Sequence, residues 1–247
     1  RLARVGLIER PKRKGRKRNM TRPRFFERAT PNQMWQSDIF TFRLGGKYAY
    51  LIAYLDDYSR FVTGADLFRS PTAHAVIEVY RVATGEYQPP KEMLTDNGRQ
   101  YTNWRGVSRF EAELKKDRVA HIKSRPQHPM TLGKIERFWQ TLWREYLSEA
   151  VFASSEDACR RLDHWIQYYN HQRPHQGIGG AGPAVRFYGV AGDVEDAVKQ
   201  GCRDNALRLA LGQETRHPLF LLGKLGETDV RVQRKGDDIE VKVGEAV

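Results

Sequence analysis

MWQSDIFTFRLGGKYAYLIAYLD, residues Met34–Asp56, is the stretch whose reading decides the fold. Its first part alternates as a strand does. Gln36, Asp38 and Phe40 fall on one face, and Trp35, Ser37, Ile39 and Thr41 on the other. LGGK (Leu44–Lys47) reads as a hairpin turn. YAYLIAYLD (Tyr48–Asp56) is a near-continuous apolar run, as expected of a strand buried on both faces. Phe61–Phe68 supplies a third strand, so the folded region opens as a three-strand meander. A carboxylate inside such a run is unusual, because an Asp is ordinarily a solvated surface charge.

Working outward, Thr72 caps a helix that runs to about Ala83, with Ala73, Val76, Ile77 and Tyr80 at helical spacing. Glu92–Thr95 is a short strand that ends at Asp96. Arg105–Lys116 reads as helix and Val119–Lys123 as another short strand. SRPQHPMTLG is a loop, rich in Pro and turn formers. Gly133–Leu147 is the clearest helix: Ile135, Phe138, Trp139, Leu142, Trp143 and Tyr146 make one apolar stripe, with Glu136 on its flank. Ser155 reads as the N-cap of a further helix that buries Ala158, Leu162, Trp165, Ile166 and Tyr169. The order of elements predicts an α/β domain, a mixed sheet with helices packed on it. Beyond Gly189 the character changes. Ala191–Leu211 is polar and partly helical, and Pro218–Val243 reads as a small antiparallel β unit, too short to stand unsupported. The expected divisions are an arm over 1–28, a core over 29–190, a connector over 191–211 and a β unit over 212–247.

The charge is unevenly spread. Of a net +12, residues 1–28 contribute twelve Lys/Arg against two Glu, and the rest of the chain is nearly balanced. Lys12, Arg13, Lys14, Arg16, Lys17 and Arg18 form an almost solid cationic run. Such a run repels itself, stays extended and suits a phosphate backbone, although a solubilising tail or localisation signal has the same composition. No run approaches the roughly 18 apolar residues of a membrane span, and no apolar stretch follows the cationic N-terminus as in a signal peptide. A cytoplasmic, nucleoid-associated protein without membrane contact is expected. The chain begins at Arg1 rather than Met, so an upstream segment is expected. Cys159 and Cys202 are isolated, which gives neither a disulfide framework nor a zinc site.

Three acids sit in separate, well-framed contexts: Asp38 within the first strand, Asp96 at the end of another, and Glu136 at the start of the long helix. Brought together, three carboxylates can hold hard divalent cations, and on so basic a chain the matching substrate is a phosphodiester. Asp57, in DDYSR, is a decoy: with Asp56 it stands at the end of the second strand and reads as a turn-forming or helix-orienting residue. Arg99 follows Asp96 and is a candidate for phosphate contact, although a plain turn explains the segment equally well. Lys134 and Arg137 flank Glu136 on the expected exposed side of the helix, as candidates for DNA-backbone contact against the reading of an ordinary charged face. Asn170, Arg173 and His175 either meet DNA or stabilise their corner.

In order along the chain stand WQSD (Trp35–Asp38), YLDDYSRFV (Tyr54–Val62), LTDNGRQY (Leu94–Tyr101), SRPQHPMTLGKIERFW (Ser124–Trp139) and YYNHQRPHQGIGG (Tyr168–Gly180). Over about two-thirds of its length the chain resembles the integrase core of DDE insertion-sequence transposases, most of all the IS481-type, which are related to retroviral integrase. The resemblance implies an RNase H-like fold with a five-stranded mixed sheet. It implies that Asp38, Asp96 and Glu136 bind two Mg²⁺ or Mn²⁺ ions and that the chain acts as a dimer or higher oligomer on double-stranded DNA, both element ends and target. The acids are 58 and 40 residues apart, and Asn103–Phe110 is where the wider second gap would place a loop. One departure is plain: Met130-Thr131-Leu132-Gly133 stands where the family has Gln-Thr-Asn-Gly.

The function expected is metal-dependent 3′-end cleavage and strand transfer. An N-terminal helix-turn-helix domain is expected upstream, and the C-terminal β unit would be an accessory DNA-binding or assembly module. The rivals are a nuclease that only hydrolyses, a catalytically silent DNA-binding derivative, and a basic scaffold with no active site.

Overall fold

The computed structural model describes residues 27–124, 132–216, 219–225, 228–235 and 237–244. The cationic run Lys12–Arg18 lies outside them, as does most of the loop before Gly133. One sheet contains β1 (Met34–Leu44), β2 (Lys47–Asp56), β3 (Val62–Phe68), β4 (Glu92–Thr95) and β5 (Ala120–Lys123), in the order β3-β2-β1-β4-β5. β1 to β3 are antiparallel, whereas β4 lies parallel to β1 and β5 parallel to β4. The expected meander and mixed five-stranded sheet are therefore both present. Gly45 and Gly46 form the β1–β2 turn with φ of 56° and 80°. Two successive positive φ values match the twist of the flanking strands and are cheap only for glycine.

Helices cover both faces. α1 (Ala73–Tyr87) and α2 (Arg109–Lys116) lie on one, α3 (Gly133–Leu142) and α4 (Ser155–His171) on the other. The alternation in β1 sorts the two cores. Trp35 and Ile39 face the α1/α2 side, while Phe40 and Phe42 face α3 and α4. β2 is buried on both sides, with Leu51 to Leu55 at most 1% exposed. α1 packs closely on β3: a Cβ at Gly64 would lie 2.8 Å from that of Ala83.

Thr72 accepts a hydrogen bond from the Ala75 amide and caps α1 as expected. Ser108 and Glu111 close a capping box on α2, which starts four residues later than predicted. The cap of α4 is Ser154, not Ser155: the Ser154 hydroxyl accepts from the Asp157 amide at 3.1 Å. The long helix also departs from expectation. After α3 the chain widens into a π-helical turn, Trp143–Leu147. The extra residue per turn rotates the apolar stripe out of register. Trp143, expected in the stripe, ends 48% exposed, although it still tilts against Phe40 at 6.2 Å.

α5 (Pro183–Phe187) stacks Phe187 on Phe61 at 4.5 Å. α6 (Ala191–Ala210) leads to an antiparallel sheet of β6 (Phe220–Leu225), β7 (Thr228–Lys235) and β8 (Asp238–Val243). Asn205 on α6 exchanges two hydrogen bonds with the Arg216 backbone, and Arg216 pairs with Asp237 at the β7–β8 turn. The small sheet thus leans on α6, as its size requires.

Candidate active site

Parallel pairing of β1 with β4 sets Gln36 beside Leu94. Two residues further along come Asp38, still within β1, and Asp96, one residue past the end of β4, whose charge acts on Asp38. The Asp38 face of β1 is the one covered by α3. Asp96 is held in place by its own turn, its Oδ1 accepting from the Gly98 amide at 2.9 Å.

α3 is bound to β1 at two points. The indole Nε1 of Trp139 donates to Asp38 Oδ2 at 3.0 Å. At the helix start, Leu132 occupies the N-cap position without a side-chain cap bond, 8% exposed and packed into the α3/α4-side core. The amide of Ile135 is served instead by Gln36 Oε1, at 3.2 Å, from the strand beneath. Gln36 also donates to Asp57 Oδ1 at 2.8 Å, and Lys134 Nζ pairs with the same oxygen at 2.6 Å. Glu136, exposed on the first turn of the helix this network anchors, is near enough for its charge to act on Asp38.

Burial pushes the Asp38 carboxyl up to about 6; hydrogen bonds from the Ile39 amide and Trp139 oppose this, and the charges of Asp96 and Glu136 add to it. This repulsion shows that the charges of Asp96 and Glu136 reach Asp38. Among the described residues, no group of three His, Cys, Asp or Glu side chains is close enough to hold a metal ion. With Asp38 turned to Trp139, the three acids do not converge. Their chemistry, three hard oxygen donors, fits a divalent cation such as Mg²⁺.

The raised Asp38 pKa has a measurable consequence. The folded chain holds this proton more tightly than the unfolded chain does, so the stabilisation is complete below about pH 4 and is lost as pH rises through 6. Ionised Asp38 then costs the metal-free fold on the order of 1–2 kcal/mol, after discounting for partial exposure. Asp38→Asn is expected to raise the melting temperature in EDTA at pH 8 by roughly 3–6 °C, with the gain vanishing near pH 4. An equal gain at both pH values would overturn the assignment.

The cationic candidates divide. Arg99 and Arg137 are exposed beside Asp96 and Glu136. Lys134 is not on the exposed side as expected: its ammonium turns inward to Asp57, because that carboxylate is only 1% exposed and needs a cation, and burial lowers the Lys134 pKa. Arg173 is committed to Glu145 through bonds of 2.7 and 2.6 Å. Asn170 bonds both the amide and the carbonyl of Val62, and His175 accepts from Gly177, so this corner is structural. Asp56 closes the β2–β3 turn by accepting from Ser59 and Asn32. Lys12, Arg13, Lys14, Arg16, Lys17 and Arg18 lie outside the described residues. Sequence reasoning missed Trp139 as the partner of Asp38 and Gln36 as the strand-borne cap. Gln36 was legible in principle, since it shares the Asp38 face.

Two family models, both described as integrase core domain, match residues 28–129 and 117–183 and together span the sheet and all three acids. The chain belongs to the integrase core family. A transposase for insertion sequence element IS904 of Lactococcus lactis is 28% identical to this integrase core over 156 residues, 62% of the chain and 60% of the relative. Transposase InsF for insertion sequence IS3A of Escherichia coli is 27% identical over 161 residues, 64% of the chain and 54% of the relative. The chain thus spans little more than half the length of these two relatives. Among solved structures, the simian T-cell lymphotropic virus intasome in complex with PP2A regulatory subunit B56 gamma matches with a TM-score of 0.57 at 20% identity, covering 68% of this chain and 59% of that one. The HTLV-2 integrase catalytic core domain in complex with magnesium matches with a TM-score of 0.51 at 17% identity, covering 64% and 97%. These likenesses establish the retroviral-integrase, RNase H-like fold. Among the described residues no helix is long and apolar enough to cross a membrane.

Proposed function

We propose that this chain is the catalytic part of an insertion-sequence transposase, which frees a 3′-hydroxyl at each element end and joins it to target DNA. The observation that supports this reading is the half-buried Asp38 in an integrase-core sheet, whose carboxyl is raised by burial and by the charges of Asp96 and Glu136. The three carboxylates would hold two Mg²⁺ or Mn²⁺ ions, which when bound supply an activated hydroxyl nucleophile and a stabilised leaving oxygen. Asp38 must turn from Trp139 to join them. Asp96 is already oriented by the Gly98 amide, and Gln36 fixes the helix that presents Glu136. Arg99 and Arg137 would meet backbone phosphates around the site, and the arm over 1–28 would track the duplex with strong salt dependence. The C-terminal sheet would serve DNA binding or assembly. Joining two ends calls for a dimer or larger assembly on DNA, in the bacterial cytoplasm.

The test is a strand-transfer reaction with a labelled duplex of the element end, a plasmid target and Mg²⁺ or Mn²⁺, using the full-length reading frame. Metal-dependent joined products that disappear with Asp96→Asn are expected. Cleavage without joining would favour a hydrolytic nuclease. Salt-sensitive DNA binding with neither reaction would favour a silent DNA-binding derivative.

A further inference from the structure

The segment between Asp96 and α2 is rigid at both feet and bare at its tip. At the first foot, Tyr101 is fully buried, and its hydroxyl lies 2.9 Å from Ser37 Oγ, one residue from Asp38. The amides of Tyr101 and Thr102 both donate to the Gly98 carbonyl at 3.0 Å. At the second foot, Ser108 Oγ donates to the Tyr101 carbonyl at 2.6 Å while its capping box holds α2. The five residues between, 103–107, are all exposed. Gly106 turns the tip with φ of 75°, and the Trp104 side chain is 97% exposed. Trp104 is three residues from Tyr101, so its backbone lies within roughly 11 Å of that of a residue bonded to the strand that carries Asp38.

An indole held in water in the segment that follows Asp96 asks for a flat apolar partner. The charge around it says which kind. Arg99, Arg105 and Arg109 are exposed, and residues 97–110 contain no Asp or Glu. Cationic groups around an aromatic face fit a nucleobase flanked by phosphates. Within a continuous duplex base faces are covered by their neighbours, whereas at an end the last face is open. We infer that Trp104 stacks on the exposed terminal base at a DNA end, with Arg99 and Arg105 on the adjoining phosphates. This rests on the function proposed above and adds the feature of DNA that the chain reads.

The test is equilibrium binding in EDTA, which separates recognition from reaction. The full chain is titrated against a short linear duplex of the element end and against the same sequence in covalently closed circular DNA. Trp104→Ala is expected to weaken binding to the linear duplex by about 5- to 150-fold, the range for loss of one base stack, and to leave the circle within about twofold. Trp104→Phe should retain most of the end preference. Arg105→Ala should weaken both DNAs alike and lower the salt slope. Val82→Ser, at an exposed site on α1, should change neither. Equal affinities of Trp104→Ala and the parent chain, or an equal loss on both DNAs, would overturn end stacking while the transposase reading stands. Failure of the parent chain to bind either DNA at low salt would overturn both.

Discussion

Glu136→Gln is expected to reduce DNA joining by at least about 10³-fold while leaving the fold untouched. A carboxylate that helps hold the ions accounts for several kcal/mol of transition-state stabilisation, and each 1.36 kcal/mol is tenfold in rate. Glutamine keeps the shape and one oxygen but removes the charge. The side chain is exposed on the first turn of α3, so the substitution should change stability by no more than about 0.5 kcal/mol. Strand transfer and thermal unfolding of the same preparations measure the two halves separately. Activity within tenfold of the parent, at equal stability, would remove Glu136 from the active site. The contrast with Asp38 is instructive: its burial means that neutralising it should stabilise the metal-free protein, so loss of function and gain of stability arise from the same charge.

Asp57→Ala should have the largest effect on stability. Its Oδ1 is shared by Gln36 and Lys134, its Oδ2 accepts from the Arg28 amide at 2.8 Å, and its carbonyl accepts from Lys134 at 3.0 Å and from Arg60. Removing one partner of a buried ion pair typically costs about 3–5 kcal/mol, most of it from the charge left behind. For a chain of this size the melting temperature should fall by roughly 10 °C or more. Adding Lys134→Met should recover part of the loss, because no buried ammonium is then stranded. Asp57 touches no reacting group. It acts by fixing the helix that carries Glu136, so joining should fall through kcat while DNA affinity at low temperature holds. A melting temperature unchanged by Asp57→Ala would refute this account.

Much of this was legible in the chain because local rules and the tertiary structure agree. The alternation in Met34–Phe42, the two glycines after Leu44 and the apolar run of β2 each have one physical reading, and the sheet follows it. The three acids stand out in the sequence because Asp38 interrupts an apolar strand, Asp96 follows the end of one and Glu136 flanks an apolar helical stripe. What escaped depends on distant partners or on single-residue register. Lys134 looks like a surface cation until Asp57, 77 residues earlier in the chain, is placed beneath it. Arg173 looks like a DNA contact until Glu145 meets it. Ser154 and Ser155 are adjacent residues with equal capping chemistry, and only the backbone decides between them. The π-helical turn leaves no mark in an apolar stripe, since the pattern reads the same until one turn is wider. Leu132 looked like a lost polar group. It is a core residue, and Gln36 takes over the capping role.

The root of the basic arm has a consequence for where the catalytic unit begins. Glu27 binds Arg60 and Arg186, and Arg28 binds Glu92 as well as Asp57. A piece cut at Met34, where the sheet starts, would take the Glu27 carboxylate from the nearly buried Arg60 and the Arg28 amide from the carboxylate that steadies α3. A piece that starts at Glu27, seven residues before the first strand, keeps all of these bonds.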